Sequence, residues 1–293
     1  MTDNRKHGFS KKQGLTQTEF TEIEALAALC NRYEGLELKL NWNILRNRPS
    51  HETNDFLYYD NGQLVGYLAL FSFNLKEAEI SGMVHPDYRR RGIFTTLLSA
   101  ARDECRQRRV PKLLLIVEHA SHSGQAFAAS LHPGYDHTEY RMALEEARIP
   151  PSFSTQLHFR RARLEDAPML AHITAVSFDI DEKEINSYSE QVMDASNRRY
   201  YVATLGDSNT YIGKIDVSLN KHEAIIYGFG VLPEYRGCGY GRQMLVQTIQ
   251  DILATGQHHI VLEVATENKN ALSLYQSCGF RETGSYDYYS LGV

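Results

Sequence analysis

The stretch PEYRGCGYGRQM, residues 233–244, places Gly237, Gly239 and Gly241 at alternate positions just behind Arg236. A strand running through such a turn into a helix N-terminus makes an anion site. The first helical turn has unpaired N–H groups that point outward, and the helix dipole favours negative charge there. Glycine lets phosphate oxygens reach the backbone without a Cβ in the way, and Arg236 adds a cation. The chemistry expected of Arg236, Gly237, Cys238, Gly239, Tyr240 and Gly241 is capture of a phosphate or pyrophosphate. The spacing is not GxGxxG, and the loop follows antiparallel hairpins, whereas a dinucleotide fingerprint closes the first strand of a parallel βαβ unit. Glu263 stands 22 residues after Gly241 (263 − 241), near the place of a ribose-binding acid, and keeps that rival open. A Walker loop needs Gly-Lys-Ser/Thr, which is absent. A loop that merely turns tightly is the plainer alternative.

The elements that must position this loop are written twice. PDYRRRGIFTTL, residues 86–97, has the same opening: Val84, Pro86, Tyr88, Arg89 and Gly92 match Val231, Pro233, Tyr235, Arg236 and Gly239, each at an offset of 147 (231 − 84, for example). Glu118 matches Glu263 and Gly134 matches Gly279 at 145 (263 − 118). So small a drift over half a chain means a duplicated domain rather than a solenoid repeat. The expected domains are 1–147 and 155–293, with a polar seam at EEARIPPSFSTQ where Pro150-Pro151 blocks a continuous helix.

Each half reads in the same order. The first opens with a helix near residues 18–33, with Phe20, Ile23, Leu26, Ala27 and Cys30 on one face. Two strands follow, joined by Asp-Asn-Gly, a strong hairpin signal. A third strand leads to the arginine-rich loop, then a helix, a buried strand, a short helix and a terminal strand. The second half repeats this, with Asp166 near the start of its first helix, a turn at 206–209, and a last helix from about Lys269 to Gly279, a natural left-handed cap. The fold class expected is α+β: a mixed, mostly antiparallel sheet flanked by helices, twice over.

The bulk composition restricts the partners. With 293 residues, 42% hydrophobic and 23% charged, the chain has a globular balance and room for two domains. A net charge of −5 argues against broad nucleic-acid binding, a local basic patch aside. No apolar run approaches the ~18 residues of a membrane span, and the polar N-terminus shows no signal peptide. Cys30, Cys105, Cys238 and Cys278 form no CxxC pair, which suits a reduced cytoplasm. His119 and His122 have no partner acids or thiols at ligand spacing, so no metal is expected.

Arg236-Gly-Cys-Gly239-Tyr-Gly241 resembles the acyl-CoA pyrophosphate loop of the GCN5-related N-acetyltransferases (GNAT), written Q/R-x-x-G-x-G/A. LEVATENKNALSLYQSCGF resembles that family's second conserved region, and RRARLEDAPML its opening strand and helix. The resemblance covers about residues 156–293 closely and 15–145 more loosely. The paired arrangement resembles bacterial two-domain members of the mycothiol synthase type, in which the C-terminal half catalyses. The resemblance implies acetyl-CoA as cosubstrate and an amine acceptor, either a small molecule or a peptide N-terminus, attacking directly in a ternary complex. An amine of pKa ~10 must lose a proton first, and Glu263 is the implied base, directly or through water. Val231 is the implied N–H donor to the thioester carbonyl, set by a bulge that Gly228 and Gly230 tolerate. Tyr275 is the implied acid for the leaving thiolate. Asn268 either contacts the cofactor arm or caps a helix. Cys238 as a covalent nucleophile lacks a paired histidine.

The first half keeps Arg89 and Gly92 but carries Phe94 where the family has a small residue, expected on an apolar face with Leu97, Leu98 and Ala101. Ser130 replaces Tyr275 and Ser123 replaces Asn268. Catalysis is therefore expected in the C-terminal half, and the first half is expected to be structural or to border the acceptor site, with cofactor binding open. A different class, a non-catalytic acyl-CoA-binding or sensing protein, remains the alternative. The acceptor and the oligomeric state are not legible.

Overall fold

The computed structural model describes residues 6–48, 51–72, 76–149, 156–185, 188–189, 193, 195–206 and 210–293. They fall into two compact units, Met1–Thr138 with Gly284–Val293, and Glu139–Thr283.

In the first unit, β1 (Gly8–Lys12) pairs antiparallel with β2 (Asp55–Asp60), and β2 with β3 (Gln63–Phe71). The expected Asp-Asn-Gly hairpin forms, with Asn61 at φ 47° and Gly62 at φ 86°, as the tight turn that matches strand twist requires. Strand β3 is almost unbroken apolar sequence because both faces are covered. Tyr67, Ala69 and Phe71 pack with α1 (Gln17–Glu34), while Val65, Leu68 and Leu70 pack with α3 (Ile93–Arg108). Helix α1 buries the five residues its periodicity singled out. It is opened by a Thr16–Glu19 capping box, the Thr16 hydroxyl accepting from Glu19 N at 3.2 Å, and closed by Gly35 at φ 69°. Strand β4 (Glu77–Val84) runs parallel to β5 (Lys112–Glu118), joined by α3. Strand β1 and the short α2 (Trp42–Asn47) are additions to the sequence reading. Strand β1 is a polar edge strand, GFSKK, without the apolar alternation that marks a strand.

The second unit repeats the plan. Its strands are β7 (Leu157–Arg161), β8 (Arg198–Leu205), β9 (Thr210–Leu219), β10 (Ala224–Val231) and β11 (Ile260–Ala265). Its helices are α5 (Ala167–Phe178), α6 (Tyr240–Leu253) and α7 (Lys269–Cys278), and α6 carries the crossover between the parallel strands β10 and β11. The cap at Gly279 is obligatory: φ is 105° and a Cβ there would lie 1.7 Å from the Glu146 carbonyl oxygen.

The sixth strand of each sheet departs from the duplicated reading. In the first unit β5 pairs antiparallel with the end of the chain, Tyr286↔Glu118 through Leu291↔Leu113 of β12 (Phe280–Leu291). In the second, β11 pairs with Glu139–Ala143 of β6 (Gly134–Leu144). Contiguous domains 1–147 and 155–293 are thus corrected: the closing strands are exchanged, 139–147 belonging to the second unit and 284–293 to the first. The two closing strands occupy the same place in the repeat, and local pattern does not state which sheet edge each one meets. Pro150-Pro151, residue 155 and most of the 206–209 turn lie outside the described residues.

Candidate active site

Strands β10 and β11 pair only from Ala224↔Ile260 to Ile226↔Leu262, yet they run on to Val231 and Ala265. Their C-terminal ends therefore splay. Strand β10 also slips against β9: Tyr227 faces Asp216 but Gly230 faces Lys214, one residue too many on the β10 side. This is the bulge expected at Gly228–Val231, with Gly228 at φ 54°.

Beyond Val231 the chain makes one 3-10 turn and enters the glycine loop. Gly237 and Gly239 lie in the left-handed region at φ 77° and 82°, and Gly239 is the N-cap of α6. An added Cβ would meet nothing at either position, so glycine is required there by the backbone dihedral and not by space. Gly241 is different. Its Cβ would touch Phe229, Val231 and Leu274 at 3.5–3.6 Å, ordinary contact, so a small side chain fits, while a large one would have to extend into the cleft that Gly241 lines. Arg236 is tied back to the strand, its Nε donating to the Val231 carbonyl at 2.8 Å.

A cleft of about 640 Å³ opens here. It brings together Val231, Gly237, Gly239 and Gly241 with Asn268 and Tyr275, and Arg236 also borders it. Ser177 and Phe178 of α5 also line it. Cys238, Tyr240 and Glu263 are not among its lining residues. Cys238 is exposed, its thiol directed at the Arg236 carbonyl oxygen. Tyr240 is the first residue of α6 and packs on the core. On β11, Leu262 and Val264 face the core beneath α6 and α7, so strand alternation puts half-buried Glu263 on the other face, opposite Arg141 of β6. Asn268 is a helix cap: its Oδ1 accepts from Ala271 N at 3.1 Å.

Tyr275 lies in the second turn of α7, 8% exposed, its ring beside Phe229 and Phe280 at 6.3 and 6.1 Å. Burial, reinforced by neighbouring Cys278, pushes its hydroxyl up to about 12, so the phenol keeps its proton throughout the neutral range. Two features escaped the sequence reading. The Ser177 hydroxyl is buried without a hydrogen-bond partner where α5 meets Gly230. Lys214 and Asp216 form a fully buried ion pair at 2.7 Å beneath the bulge. Burial pulls Lys214 down and pushes Asp216 up, and each holds the other against that pressure. Their sequence, KID in a strand, carries no mark beyond two charges at an inward-facing spacing.

The first unit has the matching cleft, about 630 Å³, differently furnished. Arg90 takes the place of Gly237 and holds the left-handed conformation at φ 63°, and Gly92 follows at φ 77°. The Arg89 Nε donates to the Val84 carbonyl, as Arg236 does to Val231, but Arg89 also pairs with Glu34 at 2.8 Å. Ser121, the cap of α4 (His122–Ser130), donates to the same carboxylate at 3.1 Å. Phe94, at the place of Gly241, is half-buried and packs against the first unit's core, as expected, beside the buried Ile93. Its ring stands edge-on to Phe127 at 4.9 Å and also lines the cleft.

Among the described residues no group of His, Cys, Asp and Glu side chains is placed to hold a metal, and no helix is long and apolar enough to cross a membrane.

A splayed parallel strand pair, a bulge in the splayed end and a glycine loop at a helix N-terminus are the marks of one enzyme class, and the sequence agrees. The profile of the Acetyltransferase (GNAT) family matches the chain twice, over residues 20–132 and 166–280. The chain belongs to that family and is a tandem GNAT N-acetyltransferase. It is 25% identical over 233 residues to a mycothiol acetyltransferase of Pseudarthrobacter chlorophenolicus, covering 73% of this chain and 71% of that one. Over 84 residues it is 33% identical to the ribosomal protein bS18-alanine N-acetyltransferase of Haemophilus influenzae, 29% of this chain and 57% of the relative. A GCN5-related N-acetyltransferase structure from Sphaerobacter thermophilus has the same fold, with a TM-score of 0.78 at 18% identity over 97% of this chain and 95% of that one.

Proposed function

We propose that the second unit transfers an acetyl group from acetyl-CoA to a primary amine, by direct attack in a ternary complex. One observation carries this. Left-handed Gly237 and Gly239, the bulged end of β10 and the protonated Tyr275 border a single cleft. The residues fit an acyl-CoA. Amides at the start of α6 have no helical partners, and no Cβ shields them at 237, 239 or 241, which suits a pyrophosphate. Acetyl-CoA supplies an acetyl thioester. The N–H of Val231 donates to the thioester oxygen, whose negative charge grows as the C–N bond forms and the C–S bond breaks. Glu263, off the cleft wall, takes the amine proton through water. Tyr275 gives its proton to the leaving sulfur. The exposed Cys238 takes no covalent part.

The test is Tyr275→Phe. The phenyl ring keeps the Phe229 and Phe280 contacts, so acetyl-CoA binding by calorimetry should be unchanged, while kcat on any accepted amine should fall about 10²-fold or more, as for loss of a general acid. Undiminished kcat would remove Tyr275 from the chemistry. Binding without turnover of any amine or peptide by the wild type would favour a sensing protein.

A further inference from the structure

The Gly228 carbonyl, turned aside by the bulge, does not rejoin the ladder. It accepts from the Lys214 ammonium at 2.7 Å, and the same ammonium meets Asp216 at 2.7 Å. Lys214 has no exposed surface and Asp216 is 3% exposed. Tyr188 completes the cluster, its hydroxyl donating to Asp216 at 3.1 Å. Gly228 is glycine for two reasons: its φ of 54°, and the ion pair, since a Cβ would lie 2.6 Å from Asp216 Oδ2 and 2.8 Å from Lys214 Nζ.

The first unit is an internal control. At the offset of 147, Tyr67 stands for Lys214 (214 − 147) and Ala69 for Asp216, while Ser81, which faces Ala69, takes the place of Tyr227, which faces Asp216; Gly228 falls within the stretch that carries the extra residue. There the matching ladder runs without a slip from Gly66↔Val84 to Phe71↔Glu79. The β3–β4 ladder, which lacks a Lys–Asp pair at these positions, has no bulge, and the β9–β10 ladder, which has the pair, has one.

We propose that Lys214 and Asp216 are positioning residues: the pair holds the bulge open and so aims the backbone of Phe229, Gly230 and Val231 into the cleft. Lys214 touches no reacting atom. It acts by fixing the Gly228 carbonyl, which sets the peptide orientation of the next three residues. Its link to rate rests on the acetyl-transfer reading above; its effect on the bulge does not.

Lys214→Met with Asp216→Asn removes both charges, so no buried ion is left alone. Two measurements separate the claims. Amide hydrogen exchange of Phe229–Val231 in the ligand-free protein should speed up about tenfold or more, while the helix α6 amides keep their wild-type protection. In steady-state assays kcat should fall about 10- to 100-fold, with KM for acetyl-CoA within about threefold, because a misaimed donor costs rate and not cofactor binding. Asp216→Asn alone leaves the buried Lys214 ammonium without its counterion and should also speed exchange at 229–231. Lys214→Met alone, in which the buried Asp216 loses its cation and takes up a proton, gives the same reading if the double variant does not fold. Unchanged exchange in a folded Lys214→Met protein overturns the bulge role. Faster exchange with unchanged kcat overturns the link to rate. An inactive wild type sinks the acetyl-transfer reading but leaves the exchange result decisive.

Discussion

At the scale of single residues, the three glycines of the loop are not equivalent. Gly237 and Gly239 are fixed by dihedral, so Ala at either should cost about 1–2 kcal/mol of local strain. Arg90 shows that a side-chain residue can be held in the Gly237 conformation, so Gly237→Ala should fold and bind acetyl-CoA more weakly. Gly241 has ordinary room for a methyl group, and Gly241→Ala should bind nearly as wild type. Gly241→Phe, copying Phe94, should abolish binding in the second cleft while thermal stability changes little. Calorimetric titration of the three variants checks the order, and a Phe variant that binds normally would show that Phe94 does not furnish the first cleft differently. The motif made glycine legible but not its reasons, since a dihedral and a contact distance exist only once the backbone is placed. Glu263 marks the same limit: alternation sets it opposite Leu262 and Val264, while which face that is, and its standing outside the cleft wall, needed coordinates.

At the scale of elements, one carboxylate ties β7, α5 and β9 together. Asp166 is fully buried and accepts from Arg160 at 2.7 and 2.9 Å, from Arg163 N at 2.7 Å and from Tyr211 at 2.6 Å. Burial alone would push its pKa up, but these donors outweigh it and bring the value from an ordinary 3.8 to about 2. A depressed carboxylate stabilises the fold above its unfolded pKa. That contribution, on the order of 2 kcal/mol, is lost as pH falls from about 4 through about 2. Asp166→Asn should therefore lower stability at neutral pH by about that amount and flatten the acid limb of a denaturation-versus-pH series. The sequence placed Asp166 near a helix start and suggested a dipole role. Its stronger partners come from β7 and β9, which only packing brings near.

At the scale of the molecule, the exchanged closing strands set which pieces can fold. A fragment ending at residue 147 lacks Tyr286, Tyr288 and Leu291, which are 2%, 1% and 4% exposed in the first unit, and leaves the apolar β5 edge bare. Each such side chain contributes about 1.5–3 kcal/mol of burial. That fragment should be insoluble or lack a cooperative transition, whereas residues 1–138 joined to 284–293 by a flexible linker should melt cooperatively. Circular dichroism against temperature decides, and a stable 1–147 fragment would contradict the exchange. Removing 284–293 from the full chain should destroy the first unit's transition.

Short-range pattern in the sequence carried the duplication, the order of the strands and helices other than β1 and α2, the hairpin turn, the left-handed cap at Gly279, the glycine loop and the family. These depend on periodicity and on residues whose conformational limits act within a few positions. The tertiary structure alone decided which strand closes each sheet, why Arg89 is neutralised by Glu34 while Arg236 borders an open cleft, and that Lys214 and Asp216 brace the bulge. Each of those is a meeting between distant residues or across a ladder, and its energy comes from burial and pairing that no local pattern encodes.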